Sequence, residues 1–316
     1  MTVMPILKGL ATFVLPPSLH TRQVGGTESA RYCYSVYLRH LCRVAAHAGD
    51  PAPARVAELG PGASIGIGLA ALIAGADRYD GLDIKSYPVT EPTRRVFEEL
   101  VALFAARTPI PDEAEFPEVK PKLDSYAFPD AILTGPRLDR ALAPDRLDRI
   151  RRALNGDQPA DAPIVRYVAP WTDAALVESG SVDWIFSQAV MEHVDDLAGS
   201  YACCSRWLRP GGAMSHQIDF RCHGTAAAWN GHWARSDLAW RAIRGARPYL
   251  LNRQPYSAHR ALIEQSGFAV TFEQPVTRDD GIDRSRLAPG FRRLSDDDLC
   301  TSGAFLVAVK PDGGAD

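Results

Sequence analysis

The side chains able to do chemistry gather at a few places along the 316 residues. Residues 58–66 read Glu-Leu-Gly-Pro-Gly-Ala-Ser-Ile-Gly. Gly60 and Gly62 let the chain turn sharply and bring backbone close to a ligand with no Cβ in the way. Asp83 follows 21 residues after Gly62, where a nucleotide-binding fold places the carboxylate for a ribose. Glu192-His193 pairs an acid with a candidate general base. The run His216-x-x-Asp219-x-x-x-His223 offers an imidazole and an orienting carboxylate. It also contains potential metal ligands, although no metal is expected. His216 and Asp219, three apart, face opposite sides of an ideal strand, which weakens a tight pair. Tyr256, with His259-Arg260, brings a guanidinium suited to clamping a carboxylate or phosphate, or a plain helix-face charge. Trp229, His232, Trp233 and Trp240 form either a substrate wall or a packed subdomain.

Elements must hold these groups in place. Residues 55–59 read as a short buried strand, 65–74 as an apolar helix and 79–84 as a second strand. This β-turn-α-β unit opens a doubly wound α/β fold. A helix over 28–48, capped by Thr27 and stopped at Gly49, precedes it. Residues 85–160 interrupt the rhythm with prolines, a helix near 93–107 and a charged helix over 137–152. They read as an inserted cap. Strands resume at 163–168 and 182–187. A helix over 197–208, a strand over 213–220, a helix over 257–266 and strands at 268–273 and 304–309 follow. Ser295 with Asp298 resembles a capping box. The expected architecture is a Rossmann-like, seven-stranded, mostly parallel sheet. Its domain would comprise 55–84 and 161–316, with 1–54 as an N-terminal segment and helix.

The glycine spacing is G-x-G-x-x-x-G, with Glu58 two residues before the first glycine. A carboxylate there repels a pyrophosphate. S-adenosylmethionine carries no phosphate and bears two cationic groups, so an acidic rim suits it. Residues 58–66, Asp83, residues 181–194 (SVDWIFSQAVMEHV) and 208–212 (LRPGG) resemble class I S-adenosylmethionine-dependent methyltransferases, over about 55–84 and 164–220. The resemblance implies that Gly60 and Gly62 line the methionine part of the cofactor and that Asp83 holds its ribose. It implies that the Ala169-Pro170-Trp171 turn flanks the adenine, and that Ser187, Gln188 and Ala189 sit beside the amino-acid end. It assigns no universal catalytic residue. His193, His216 and Asp219 are therefore the catalytic candidates, and His223, Trp229, Tyr256 and Arg260 the substrate-binding ones.

Composition narrows the partners. With 46 % hydrophobic and 23 % charged residues the chain can bury a full core. A net charge of −3 argues against a general nucleic-acid binder. No apolar run reaches membrane-spanning length, and the mildly apolar start lacks a clear cleavage site. The six cysteines form no CxxC pair, so free thiols are expected. The expectation is a cytoplasmic monomer or homodimer that methylates oxygen, nitrogen or carbon of a small molecule, in bacterial secondary metabolism or polysaccharide modification, without nucleic acid or membrane. An NAD(P)-dependent oxidoreductase and a non-catalytic cofactor-binding scaffold are the rival readings. Replacing Asp83 by Ala should weaken S-adenosylmethionine binding about tenfold or more, through lost charged hydrogen bonds. Calorimetric titration checks this, and unchanged affinity in the folded variant refutes the ribose role.

Overall fold

A computed structural model describes residues 4–15, 26–49, 52–62, 64–85, 91–171 and 173–312. Ala63 in the glycine turn, Pro16-Pro17, Gly25 and residues 86–90 of the expected insertion lie outside them. Seven strands form one sheet: β1 (Arg55–Leu59), β2 (Arg78–Leu82), β3 (Val165–Val168), β4 (Val182–Gln188), β5 (Leu208–Asp219), β6 (Ala269–Thr277) and β7 (Thr301–Val309). Their order is β3-β2-β1-β4-β5-β7-β6. β1 to β5 pair in parallel, and β7 runs antiparallel between β5 and β6. The strand order reverses at β1, where β4 pairs on its other side. That is where such sheets bind ligands, outside the carboxyl ends of the strands.

One sheet face carries α2 (Ala30–His47), α3 (Gly66–Ile73), α4 (Glu91–Ala105), α5 (Gly135–Ala141) and α6 (Pro144–Leu154). α2 begins at Ser29, not Thr27, because the Ser29 side chain accepts the Tyr32 N–H. Its buried Tyr34, Tyr37, Leu38 and Leu41 share a core with Leu69, Phe97, Leu100, Leu147 and Ile150. Residues 91–154 are thus part of the layer that covers the sheet, and not the expected cap. Their apolar residues are needed to seal the β1-β2-β3 half. The single charged helix expected over 137–152 is two helices, because Pro144 lacks an N–H and starts a new one. On the other face, α7 (Leu197–Trp207) and α9 (Tyr256–Gln265) close a second core around Ile185, Met214 and Leu306. α9 stops at Gly267 (φ +87°).

A cap is built elsewhere. Residues 220–255 leave the end of β5, and 278–300 join β6 to β7. They contain α8 (Asp237–Arg244) and α10 (Asp296–Cys300), and Ser295 caps α10 through the Asp298 N–H as expected. Trp229, Trp233, Ile282 and Leu287 form one small core there, and Trp240, Ile243, Leu250 and Leu251 another. α1 (Met4–Ala11) docks on α8, with Gly9 against the Ala242 and Ile243 carbonyls.

The two turn glycines differ physically. Gly60 (φ +66°) has no room: a Cβ would lie 2.6 Å from the Val190 side chain. Gly62 (φ +71°) faces open space within 4 Å. Gly62→Ala should therefore cost only the left-handed backbone, about 1 kcal/mol. Gly60→Ala adds a clash and should cost at least about 2 kcal/mol. Urea unfolding midpoints of the two variants test the difference, and equal losses contradict it.

Candidate active site

The turn after β1 is held from three sides. The Gly62 N–H donates to Asp83 Oδ2 at 2.9 Å. The Gly60 N–H donates to the Leu82 carbonyl. The Tyr167 hydroxyl on β3 lies 3.3 Å from the Gly62 carbonyl. Asp83 sits just past β2, where its other oxygen accepts the Ile84 and Lys85 N–H groups. An ionised carboxylate has about four acceptor positions, so three backbone bonds leave room for one more donor. Asp83 is thus a loop anchor as well as the expected ribose ligand.

The residues fit a phosphate-free nucleotide. The open side of Gly62, Ile84 at 44 % exposure and the exposed Ala189 surround the ends of β1, β2 and β4. Ala189 takes φ +54°, an uncommon left-handed conformation for a residue with a side chain. Glu58 does not form a charged rim. It is buried, accepts the Tyr79 hydroxyl at 2.7 Å, and burial, aided by the Asp83 charge, pushes its pKa to about 8. With Glu58 protonated, the Asp83 carboxylate is the acidic group left beside the turn, and the repulsion of a pyrophosphate expected from Glu58 falls away.

Several expected contacts are corrected. Trp171 is 4 % exposed and packs edge-on against Trp207 in the second core, so it offers no face to an adenine. Asp173 caps the following turn through the Ala175 N–H. Ser187 is buried and bonded to His216 Nδ1 at 2.8 Å. Gln188 meets His40 Nε2 at 3.0 Å. Of the trio after β4, Ala189 alone is exposed. His216 is no base: it has no exposed surface, and burial lowers its pKa to about 3. Tyr256 and Arg260 lie at the edge of the sheet farthest from β3. There the Tyr256 hydroxyl donates to Glu273, and Arg260 sits 3.4 Å from the same carboxylate. They are not placed to touch a substrate at β1 and β4. Trp229 belongs to the core of the cap, although its Nε1 is buried without a partner.

The structure brings together Asp219, His223 and His193 instead. Asp219 ends β5, and His223 Nε2 approaches its Oδ2 at 3.2 Å. Arg221 donates through Nε and Nη2 to both oxygens of the same carboxylate, and through Nη1 to Glu118. Burial raises the Asp219 pKa, but the bonds from His223 and Arg221 outweigh it and hold the group well below its usual value. His223 is exposed and takes φ +46°. Its ring lies 5.1 Å from that of His193, which touches Tyr249 on its other side. Burial, with the neighbouring His223, lowers the His193 pKa to about 4, a poor value for a base. Glu192 is 2 % exposed, and burial raises its pKa well above normal. Its carboxyl lies near the backbone N–H groups of Glu192 and Asp219, and His193 Nδ1 and His232 Nδ1 are buried and unpaired. Asn252 pins this loop by donating to the Met191, Glu192 and Val194 carbonyls. Arg221, Tyr249 and Asn252 were not expected from sequence.

Among the described residues no three His, Cys, Asp or Glu side chains converge on a metal position, and no helix is long and apolar enough to cross a membrane. The six cysteines are free. A depression lined by Val44, Pro53, Asp183 and Arg209 lies at the opposite end of the strands, where Asp183 and Arg209 neutralise each other at 2.6 Å.

The family model for a methyltransferase domain matches residues 141–215, from the end of α5 to the middle of β5. No curated protein matches the chain. Solved structures similar to it include an S-adenosylmethionine-dependent methyltransferase from Mesorhizobium loti (14 % identity, covering 82 % of this chain and 91 % of that one, TM-score 0.40). A geranyl diphosphate C-methyltransferase from Streptomyces coelicolor is 13 % identical (86 % and 78 % covered, TM-score 0.44). A phosphoethanolamine N-methyltransferase from Haemonchus contortus is 14 % identical (89 % and 56 % covered, TM-score 0.42). The match to a methyltransferase-domain model over residues 141–215 and the strand order agree with the resemblance read from the sequence.

Glu58 generates a pH prediction. Its folded pKa is raised, so its contribution to stability is complete below the unfolded value near 4.5 and is lost as pH rises to about 8. Glu58→Gln keeps an acceptor for Tyr79 but cannot ionise. Relative to wild type, its unfolding free energy should therefore climb between about pH 5 and pH 8. A constant difference across that range excludes the buried, protonated Glu58.

Proposed function

We infer that the protein transfers a methyl group to a nucleophilic oxygen or nitrogen of a small molecule, with His223 as general base. The observation that carries this reading is the 3.2 Å contact between His223 Nε2 and Asp219. It leaves Nδ1 of an exposed ring for the acceptor.

S-adenosylmethionine supplies a methyl group already activated on a sulfonium. What remains for the protein is alignment and removal of a proton. Gly60 and Gly62 shape the cofactor turn, and Asp83 fixes it while offering an acceptor to a ribose hydroxyl. Asp219 orients the His223 ring through Nε2. Arg221 keeps Asp219 charged and in place. His193, neutral and edge-on to His223, limits the ring's position. His193 and His232 hold buried polar atoms with no internal partner. An acceptor bearing hydroxyl or amino groups satisfies such atoms, which are costly to leave unpaired. Arg221 is committed to Asp219 and Glu118, so it does not favour a phosphorylated acceptor. The cap made of 220–255 and 278–300 lies beside this position and supports a dedicated small substrate. The cytoplasm and secondary metabolism are the setting proposed on the same sequence grounds.

His223→Ala should lower kcat by about 10²–10⁴ and leave the S-adenosylmethionine dissociation constant within about twofold. Asp219→Asn should also lower kcat. The readout is formation of demethylated cofactor in the presence of a metabolite extract. Full turnover by His223→Ala removes the base assignment. Cofactor binding without turnover of any extract by the wild type favours a scaffold.

A further inference from the structure

We propose that α1 and the adjoining edge of α8 dock the protein on an anionic lipid surface. α1 uses one face only. Ile6 joins the small core of Trp240, Ile243, Leu250 and Leu251, and Gly9 lies against α8. Thr12 ties the helix end to the cap by accepting the Ala246 N–H at 2.7 Å.

The opposite face is apolar and open. Met4, Leu7 and Leu10 are 57, 55 and 48 % exposed, and Phe13, Val14 and Leu15 beyond them 65, 82 and 44 %. Leu238 on α8, 76 % exposed, lies one turn before Ala242, whose carbonyl meets Gly9. Scattered exposed leucines need no explanation, but a contiguous patch marks an interaction site. Among the described residues, seven of the eight large apolar side chains singled out by exposure fall on this one patch.

Charge selects the occupant. Residues 4–15 contain no acid, and Lys8 and Arg241 are exposed at the patch. Asp237, also on α8, is taken by Arg253 at 2.6 Å. A two-fold dimer sets the same patch against itself and brings like charges together. An anionic bilayer surface accepts both the apolar side chains and the cations, as interfacial amphipathic helices show. The helix lies on the surface and does not span it. The expectation of no membrane partner, drawn from the lack of a spanning segment, does not address this mode.

The test is co-sedimentation of the full chain with vesicles of phosphatidylcholine alone and of phosphatidylcholine with phosphatidylglycerol. Wild type should sediment severalfold more with the anionic vesicles, and less as salt rises. Leu7→Glu with Phe13→Glu should abolish binding. Lys8→Glu with Arg241→Glu should remove the preference for phosphatidylglycerol. All four positions are exposed, so melting temperature and cofactor affinity should match wild type. Absence of binding to either vesicle overturns the proposal, as does binding that survives Leu7→Glu with Phe13→Glu. A dimer in sedimentation velocity that the same pair of substitutions dissolves also overturns it, by naming a second copy as the occupant. None of these outcomes depends on His223 being the base.

Discussion

The bond from the Gly62 N–H to the Asp83 carboxylate fastens the end of β2 to the turn after β1. Backbone in a left-handed turn offers few internal partners, and this carboxylate supplies three through its two oxygens. With the turn fixed, its Gly62 side stays open and its Gly60 side is closed by Val190. Val190 belongs to the loop after β4 that carries Ala189, Glu192 and His193. A single hydrogen bond thus relates the glycine turn to the loop that carries Glu192 and His193.

Burial decides which ionisable groups work. His40, His193, His216, His232 and His259 all have lowered pKa values through desolvation. They are hydrogen-bonding groups at neutral pH and not proton acceptors of useful strength. Glu58 and Glu192 are pushed the other way and keep their protons. Asp219 stays ionised because Arg221 and His223 reach it. Asp80, fully buried, is held by Arg55, Arg78 and Arg166 far from the site, and its role is to tie the opposite strand ends together.

The cap comes from the end of the chain and not from its middle. Residues 91–154 have the apolar residues to seal a sheet face and are used for that. Residues 220–255 and 278–300 emerge where the strands end, so any mass they add lies beside the site. Their tryptophans supply small cores of their own, and α1 returns from the N-terminus to complete one of them.

Much of this was legible in the residues. Glycine punctuation and strand-length apolar runs located all seven strands to within a few positions, because these patterns are local. The turn at 58–66 and Asp83 declared a nucleotide site for the same reason: backbone freedom and a carboxylate at a set spacing need no distant partner. The roles of the other polar residues were not legible, since they depend on what packs around them. His216 and His223 have the same side chain, but one lies under a sheet and the other at its rim. Trp171 follows the right strand for an adenine contact, yet Trp207, thirty-six residues on, takes its ring into the core. Tyr256 and Arg260 look like a substrate clamp until β6 proves to be the far edge of the sheet. Local sequence therefore determined the fold and its glycine turn. Only tertiary packing decided which imidazole keeps both solvent and a carboxylate, because burial and charge are set by neighbours distant in the chain.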